Sequence, residues 1–284
     1  MIERRLASLL NRFHVANLRA SRMKIKINGV CVNNCAYCLF HNDPRRLEVE
    51  DIAYFLDMMD KPSFHSLEIN GGEPTIHPRF LKICAFLKER FKGRVTLTLG
   101  TNLIPMSWKR GWYPKIYQRV LETFDHIAVG CDDEHKNIDI LERLAPHIVS
   151  AGLKLYVTVV KPYCSKETRQ RILALKADWD IRVFFSELLH FHESRPAVND
   201  VSTPCRRRLT QFLLSCNGDG FFCWRQEMEH PLFNLFTVER KELNYYMNDY
   251  NPERYQFCPY CPDYRPEGVM HKLLRSPAIP IRLM

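Results

Sequence analysis

Cys31-Val32-Asn33-Asn34-Cys35-Ala36-Tyr37-Cys38 sets three thiols within a single short loop. The loop follows Lys24–Ile27, an apolar run read as the first strand, so the thiols leave a strand end together and can converge on one metal centre. No fourth cysteine stands close by in sequence. Three thiolates leave one iron of an iron–sulfur cube open to a non-protein ligand, whereas a structural zinc ion needs a fourth Cys or His, for which His41 is near. Spacing alone leaves both alternatives standing.

Outward from this loop the chain alternates short apolar runs with helical periodicity. Strands are expected at Lys24–Ile27, His65–Ile69, Val95–Leu99, His126–Gly130, Leu155–Val160 and Arg182–Ser186. Helices are expected at Glu50–Asp60, Pro78–Phe91, Lys115–Glu122, Asn137–Ala151 and Lys166–Ala177. This is the pattern of a parallel α/β protein, a partial barrel or a doubly wound sheet, and in both the chemistry sits at the C-terminal ends of the strands. Ahead of it, Leu6, Leu9, Leu10 and Phe13 recur at helical spacing, and residues 1–22 are read as an N-terminal helix. After Ser194 the texture changes to a Pro-containing polar linker. Beyond that, Gln211–Cys216 and Phe221–Trp224 flank Asn217-Gly218-Asp219-Gly220, a hairpin signal.

Composition narrows the class. The 284 residues are 46% hydrophobic, which supplies a core and excludes disordered and fibrous chains. No run approaches the ~18 apolar residues of a membrane span, and nothing near Met1 resembles a secretory signal. A cytoplasmic protein without a membrane partner is expected. Eleven cysteines, an odd number, favour reduced thiols serving as metal ligands over a disulfide framework. The formal charge of +9 suits nucleic acid, an acidic partner or an anionic substrate, and decides nothing by itself.

Cys31-x3-Cys35-x2-Cys38, with aromatic Tyr37 before the last thiol, resembles the signature of the radical SAM superfamily. Asn70-Gly71-Gly72-Glu73-Pro74, at the end of the second expected strand, resembles that family's GGEP segment. The resemblance implies an α/β fold, a partial (β/α)6 TIM-like barrel over residues 23–195. It implies that Cys31, Cys35 and Cys38 hold a [4Fe-4S] cluster whose open iron is chelated by S-adenosyl-L-methionine. Reductive cleavage then gives a 5′-deoxyadenosyl radical that abstracts a substrate hydrogen. In that picture Gly71, Gly72 and Glu73 receive the methionine amino group, Pro74 shapes the turn, and Tyr37 lies near the adenine. Asn102 and Asp132, at the third and fourth strand ends, are further cofactor-binding carry-overs. Many members show a serine where this chain has Gly130, which leaves the ribose contact to Asp132.

Cys205 and Cys223 bracket the hairpin, and Cys258-Pro259-Tyr260-Cys261 follows. Four thiols so placed suit a closed zinc site. Beside the first motif they resemble the twitch subset of the SPASM/twitch group. There a small C-terminal domain, a β-hairpin plus helix, carries an auxiliary [4Fe-4S] cluster; here it would span 196–267, with a tail at 268–284. Such a cluster suits electron transfer, and the arrangement is similar to that of a twitch-type dehydrogenase acting on an aminocyclitol. The resemblance thus implies a radical SAM oxidoreductase of dehydrogenase type, with redox-neutral radical chemistry as an open alternative. Its substrate would be a small sugar- or cyclitol-like metabolite, and flavodoxin or ferredoxin its electron donor. Glu187 and His190, after the sixth strand, are candidate proton acceptors. The alternatives are a maturase of a ribosomally made peptide and a zinc-bound nucleic-acid module. The latter has only Arg206-Arg207-Arg208 as a compact basic run in the second half, and no nucleic-acid partner is expected.

Overall fold

The computed structural model describes residues 22–38, 43–59, 64–109, 111, 113–186, 211–221 and 231–244. Within them the strands are β1 (Arg22–Lys26), β2 (Asn28–Gly29), β3 (Asp43–Arg46), β4 (Ser66–Asn70), β5 (Thr96–Thr101), β6 (His126–Gly130), β7 (Lys154–Val160), β8 (Arg182–Ser186), β9 (Gln211–Leu214), β10 (Asp219–Phe221) and β11 (Phe233–Asn234). The helices are α1 (Val49–Met58), α2 (Phe80–Phe91), α3 (Tyr113–Thr123), α4 (Ile138–Ser150), α5 (Lys166–Asp178) and α6 (Arg240–Asn244). All six expected strands and all five expected helices form, with ends shifted by a residue or two.

Six strands, β1 and β4 to β8, pair in parallel in chain order. Each crossover steps the same way, and right-handed crossovers that all step one way put their helices on one face of the sheet. Burial follows that rule. Met23, Ile25, Leu67, Ile69, Leu97, Leu99, Ile127, Val129, Leu155 and Val157 are buried beneath the helices, each contributing about 1.5–3 kcal/mol of transfer free energy. The alternate residues, Lys24, Glu68, Asn70, Thr98, His126 and Tyr156, are only partly buried. This helix-free face is polar, with Lys24 and Glu68 paired across neighbouring strands at 2.9 Å. The result is an α/β partial barrel with an apolar outside layer and a polar inside.

Local signals position the helices. A reciprocal capping box between Glu48 and Asp51 opens α1, and Ser165 accepts a hydrogen bond from the Thr168 amide at the start of α5. Two features were not expected from sequence. A two-stranded ribbon, β2 with β3, carries the entry to the cysteine loop. The Asn217–Gly220 hairpin forms, with Gly218 at φ 87°, but β9 also pairs in parallel with β1 and extends the barrel sheet. Phe212 of β9 stacks between Phe55 of α1 and Phe233 of β11, at 5.7 Å from each. Asn244 and Arg240 of α6 donate to the Met58 and Asp57 carbonyls at the end of α1. The described residues 211–221 and 231–244 fall in the same compact unit as the barrel strands β1 and β4 to β8.

The N-terminal helix of residues 1–22, save Arg22 itself, and the tail at 268–284 lie outside the described residues.

Candidate active site

The cysteine loop emerges from β2 and is stitched to the loop after β4 by backbone bonds. The Gly72 amide donates to the Asn28 carbonyl and the Glu73 amide to the Val30 carbonyl, both at 2.8 Å. This approach explains the glycine pair. A Cβ on Gly72 would stand 2.3 Å from the Val30 oxygen, and one on Gly71 would stand 2.1 Å from Asn28 Oδ1. Pro74 opens a single 3-10 turn, Pro74–Ile76, pinned by the Glu73 side chain.

Glu73 is fully buried. Its Oε1 accepts from the Thr75 amide at 3.1 Å and from the hydroxyls of Thr75 and Thr101 at 2.5 and 2.9 Å. Its Oε2 accepts from the Asn102 amide at 2.7 Å and from Thr101 again at 3.0 Å. Burial pushes its carboxyl above the usual range, and these donors pull the other way. The side chain expected to meet a ligand amino group is therefore spent on clamping the end of β5 to the turn after β4. Beside it Asn28 Oδ1 is buried without a hydrogen-bond partner, while Asn28 Nδ2 donates to the Glu73 carbonyl.

Asn102, next along β5's exit, points its Nδ2 at Cys31 Sγ at 3.6 Å, and the Asn33 amide approaches the same sulfur at 3.4 Å. The following residue, Leu103, takes a φ of 64°, a left-handed conformation that a branched side chain seldom adopts. Asn137 donates to the carbonyls of Asn102 and Gly130, both at 2.8 Å, so the exits of β5 and β6 are tied together.

The turn after β6 holds the other side of the cysteine loop. Glu134 Oε2 accepts from the Ala36 amide at 2.9 Å, and the His135 carbonyl accepts from Asn33 Nδ2 at 3.1 Å. Tyr37 donates its hydroxyl to Asp132 Oδ2 at 2.7 Å and lies 2.9 Å from His135 Nδ1. Asp132 Oδ1 takes both the His135 amide and Nδ1, at 3.1 and 2.9 Å. Burial would raise the Asp132 carboxyl, but the hydrogen bonds from His135 and Tyr37 outweigh it and hold it below the usual range. Burial, with Asp132 beside it, pushes the Tyr37 phenol up. The ring of Tyr37 also packs 4.9 Å from that of Tyr163.

The three thiols sense one another. Burial pushes Cys35 up to about 12, with Asp132, Cys38 and Cys31 each adding to the rise. Cys31 is raised by burial, with further contributions from Glu73 and Cys38. Such a set disfavours thiolate charge unless a cation is supplied, and two amide donors are aimed at the Cys31 sulfur. Among the described residues no three of His, Cys, Asp and Glu close into the tight group a single ion would take. Three mutually repelling thiols, amide donors on one sulfur and an orphaned acceptor beside a glycine pair fit a multi-iron cluster with an amine-bearing ligand at its open position.

The fold thus brings Cys31, Cys35, Cys38, Tyr37, Gly71, Gly72, Glu73, Pro74, Asn102 and Asp132 to one end of the sheet. Glu187, His190, His41, Cys205, Cys223, Cys258 and Cys261 lie outside the described residues. Sequence reasoning noted Thr101 beside Asn102 but passed over Asn28, Glu134, His135 and Tyr163. Only His135 carried a local signal, its spacing of three from Asp132 in a turn.

Comparison with known proteins bears on the family and the fold. Residues 25–151 match the family described as the radical SAM superfamily. No curated protein sequence matches the chain. Among solved structures, Streptococcus suis SuiB bound to S-adenosylmethionine superposes with a TM-score of 0.59 at 14% identity, over 87% of this chain and 68% of that one. SuiB bound to precursor peptide SuiA gives 0.60 at 14% identity, over 87% and 69%. BtrN in complex with AdoMet and 2-DOIA gives 0.48 at 11%, over 86% and 93%. Identities this low speak of fold alone, and no helix of the described residues is long and apolar enough to cross a membrane. Family match, cysteine loop and strand-end clamps point the same way: residues 25–151 are similar to the radical SAM superfamily.

Proposed function

We propose that this enzyme oxidises a small polar metabolite, sugar- or cyclitol-like, with Cys31, Cys35 and Cys38 holding a [4Fe-4S] cluster that binds S-adenosyl-L-methionine. When bound, these groups supply an electron and a 5′-deoxyadenosyl radical able to take a hydrogen atom from substrate. The chain's own residues do the rest. Carbonyls of Gly71 and Gly72, with Asn28 Oδ1, accept the amino group, while Glu73 and Pro74 hold that turn in shape. Asn102 donates toward Cys31 sulfur and stabilises its negative charge. Tyr37, braced by Asp132, closes the side of the loop toward β6.

The observation that carries the substrate class is the helix-free sheet face. Lys24 and Glu68 pair at 2.9 Å and Asn70 donates to Glu68 Oε1 at 2.9 Å, with Thr98 and His126 in the next strands of the same row. A partly buried ion pair adds little stability, so this polar floor is better suited to hydrogen-bonding a hydroxylated ligand than to holding the fold. In the same reading Cys205, Cys223, Cys258 and Cys261 carry an auxiliary [4Fe-4S] cluster in a twitch-type domain over 196–267. That cluster takes the second electron, Glu187 or His190 takes the proton, and a flavodoxin or ferredoxin feeds the cycle in the cytoplasm.

Protein purified without oxygen should be brown and hold roughly eight irons if both clusters are cubes. With reductant it should turn S-adenosyl-L-methionine into 5′-deoxyadenosine, and serine at Cys31, Cys35 or Cys38 should abolish this. Serine at Cys258 and Cys261 should spare cleavage but block oxidised product. Colourless protein with stoichiometric zinc would overturn the proposal. A peptide substrate is the second reading, favoured by the fold likeness to a SuiB structure bound to a precursor peptide. Deuterium transfer from a labelled peptide, rather than from a labelled polyol, into 5′-deoxyadenosine would decide for it.

A further inference from the structure

The helix-free face differs from one side to the other. Toward β1 and β4 it offers Lys24, Glu68 and Asn70, joined by an ion pair and a hydrogen bond. Toward β6, β7 and β8 the same alternation presents His126, Lys154, Tyr156, Arg182 and Phe184, and no carboxylate. Register places Lys154 beside His126 and Arg182 beside Tyr156. The rings form a ladder across the three strands, with Tyr156 edge-on to His126 at 5.2 Å and 6.2 Å from Phe184. The Arg182 guanidinium lies 5.9 Å from the centre of the Tyr156 ring, a cation–π contact that uses no N–H donor. Among the described residues neither Lys154 nor Arg182 has an ion-pair partner, and both are exposed. Burial holds the His126 imidazole below its usual range, and Lys154 and Arg182 push it the same way against Asp125. Both cations thus act on one spot of the face.

From this arrangement we infer that the substrate carries an anionic group, a phosphate or a carboxylate, held by Arg182 and Lys154 beside the Tyr156 ring. The inference deepens the proposed function and rests on it, since the substrate must lie on this face. Two cations with no carboxylate between them repel each other, and an anion that enters the barrel relieves that repulsion. Their positions are diagonal neighbours on adjacent strands, about 7–8 Å apart. Both stems are long enough to converge on one set of oxygens, to which Arg182 brings a planar fork and Lys154 a point charge. Arg182 stands two residues below the row of Gly130, Thr158 and Phe184 at the strand ends, about 7 Å along the strand. A carbon that reacts at the strand ends is therefore separated from the anion by about one sugar ring. The ring's hydroxyls then fall toward Glu68 and Asn70, and its apolar face toward Tyr156 and Phe184. Ala128, next to Tyr156 in register, keeps the floor low between the two sides.

Isothermal calorimetry on anaerobically reconstituted protein, saturated with S-adenosyl-L-methionine, tests this. The probes are D-glucose, D-glucose 6-phosphate, D-glucuronate and inorganic phosphate. Wild type should bind one of the charged sugars about tenfold more tightly than glucose, the scale of a charge-assisted hydrogen bond. Which charged sugar is preferred separates phosphate from carboxylate. R182Q and K154Q should each remove most of that preference, whereas K176Q, which deletes the same charge at an exposed position of α5, should keep it. Equal binding of glucose and both charged sugars would overturn the inference and leave the polyol reading standing. So would an undiminished preference in R182Q or K154Q, or an equal loss in K176Q, which would assign the preference to net charge. Should R182Q fail to load iron, K154Q decides by the same criterion. Phosphate bound by wild type and lost in R182Q, with no sugar bound, would keep the anion site and overturn the polyol reading beneath it. Iron-loaded wild type that binds none of the four probes would overturn both.

Discussion

Replacing Glu73 by Gln separates a clamp from a ligand contact. Gln keeps one carbonyl oxygen, which can stay with the Thr75 amide and hydroxyl. Its amide nitrogen then faces the Asn102 amide, which in the native protein donates to Oε2 at 2.7 Å. A charge-assisted bond worth about 1.5–3 kcal/mol is lost and a buried donor goes unpaired, at about 1–3 kcal/mol. The two overlap, and about 3 kcal/mol is expected, or roughly 6–12 °C in apparent Tm for a domain of this size. Circular dichroism melts of wild type and E73Q, at matched iron content, provide the measurement. A shift below about 2 °C combined with a large loss of S-adenosyl-L-methionine affinity would refute the reasoning, because Glu73 would then be a ligand contact after all.

Gly72→Ala places a methyl 2.3 Å from the Val30 oxygen, and the 2.8 Å bond from Glu73 to Val30 prevents the two loops from parting. About 3 kcal/mol or more is expected, against about 1–2 kcal/mol for Gly93→Ala, where only the positive φ is at stake; denaturant midpoints compare the two. Asn102→Ala removes a donor from Cys31 sulfur and should move the cluster's reduction potential to more negative values in an anaerobic redox titration. His77 and His126 are both held below the ordinary imidazole range by burial. The unfolded chain therefore binds more protons once pH falls below about 6.5, and stability present above that value is lost on acidification. Apparent Tm should fall from pH 7.5 to 5.5, and fall less in His77→Gln.

Periodicity located the barrel strands because their apolar faces alternate strictly under helices, as in Leu67 and Ile69 or Leu97 and Leu99. It could not locate β3, whose Asp43-Pro44-Arg45-Arg46 has no apolar alternation and forms by pairing with the cysteine-loop entry. Nor could it see β9 beside β1, since that pairing joins Met23 to Phe212 and leaves no local trace. At the site, cysteine spacing and the glycine pair were legible because each serves a local geometry. The inward turn of Glu73 was not, for it depends on Thr101 and Asn102 meeting it from another strand. His135 went unread because Tyr37, which meets its ring, is 98 residues away and reaches it only in the folded protein.

The clamps around the thiol loop also set a timetable for synthesis. Ala36 is 98 residues ahead of Glu134 and Tyr37 is 95 ahead of Asp132. At about 5–20 residues per second, the ribosome leaves Cys31, Cys35 and Cys38 without their β6 partners for roughly 5–20 s, and β1 without β9 for longer. Throughout that interval the nascent thiols face oxidants and stray metal ions on an unbraced loop. Ribosome-bound chains halted before Asp132 should alkylate at these cysteines far faster than the finished protein does.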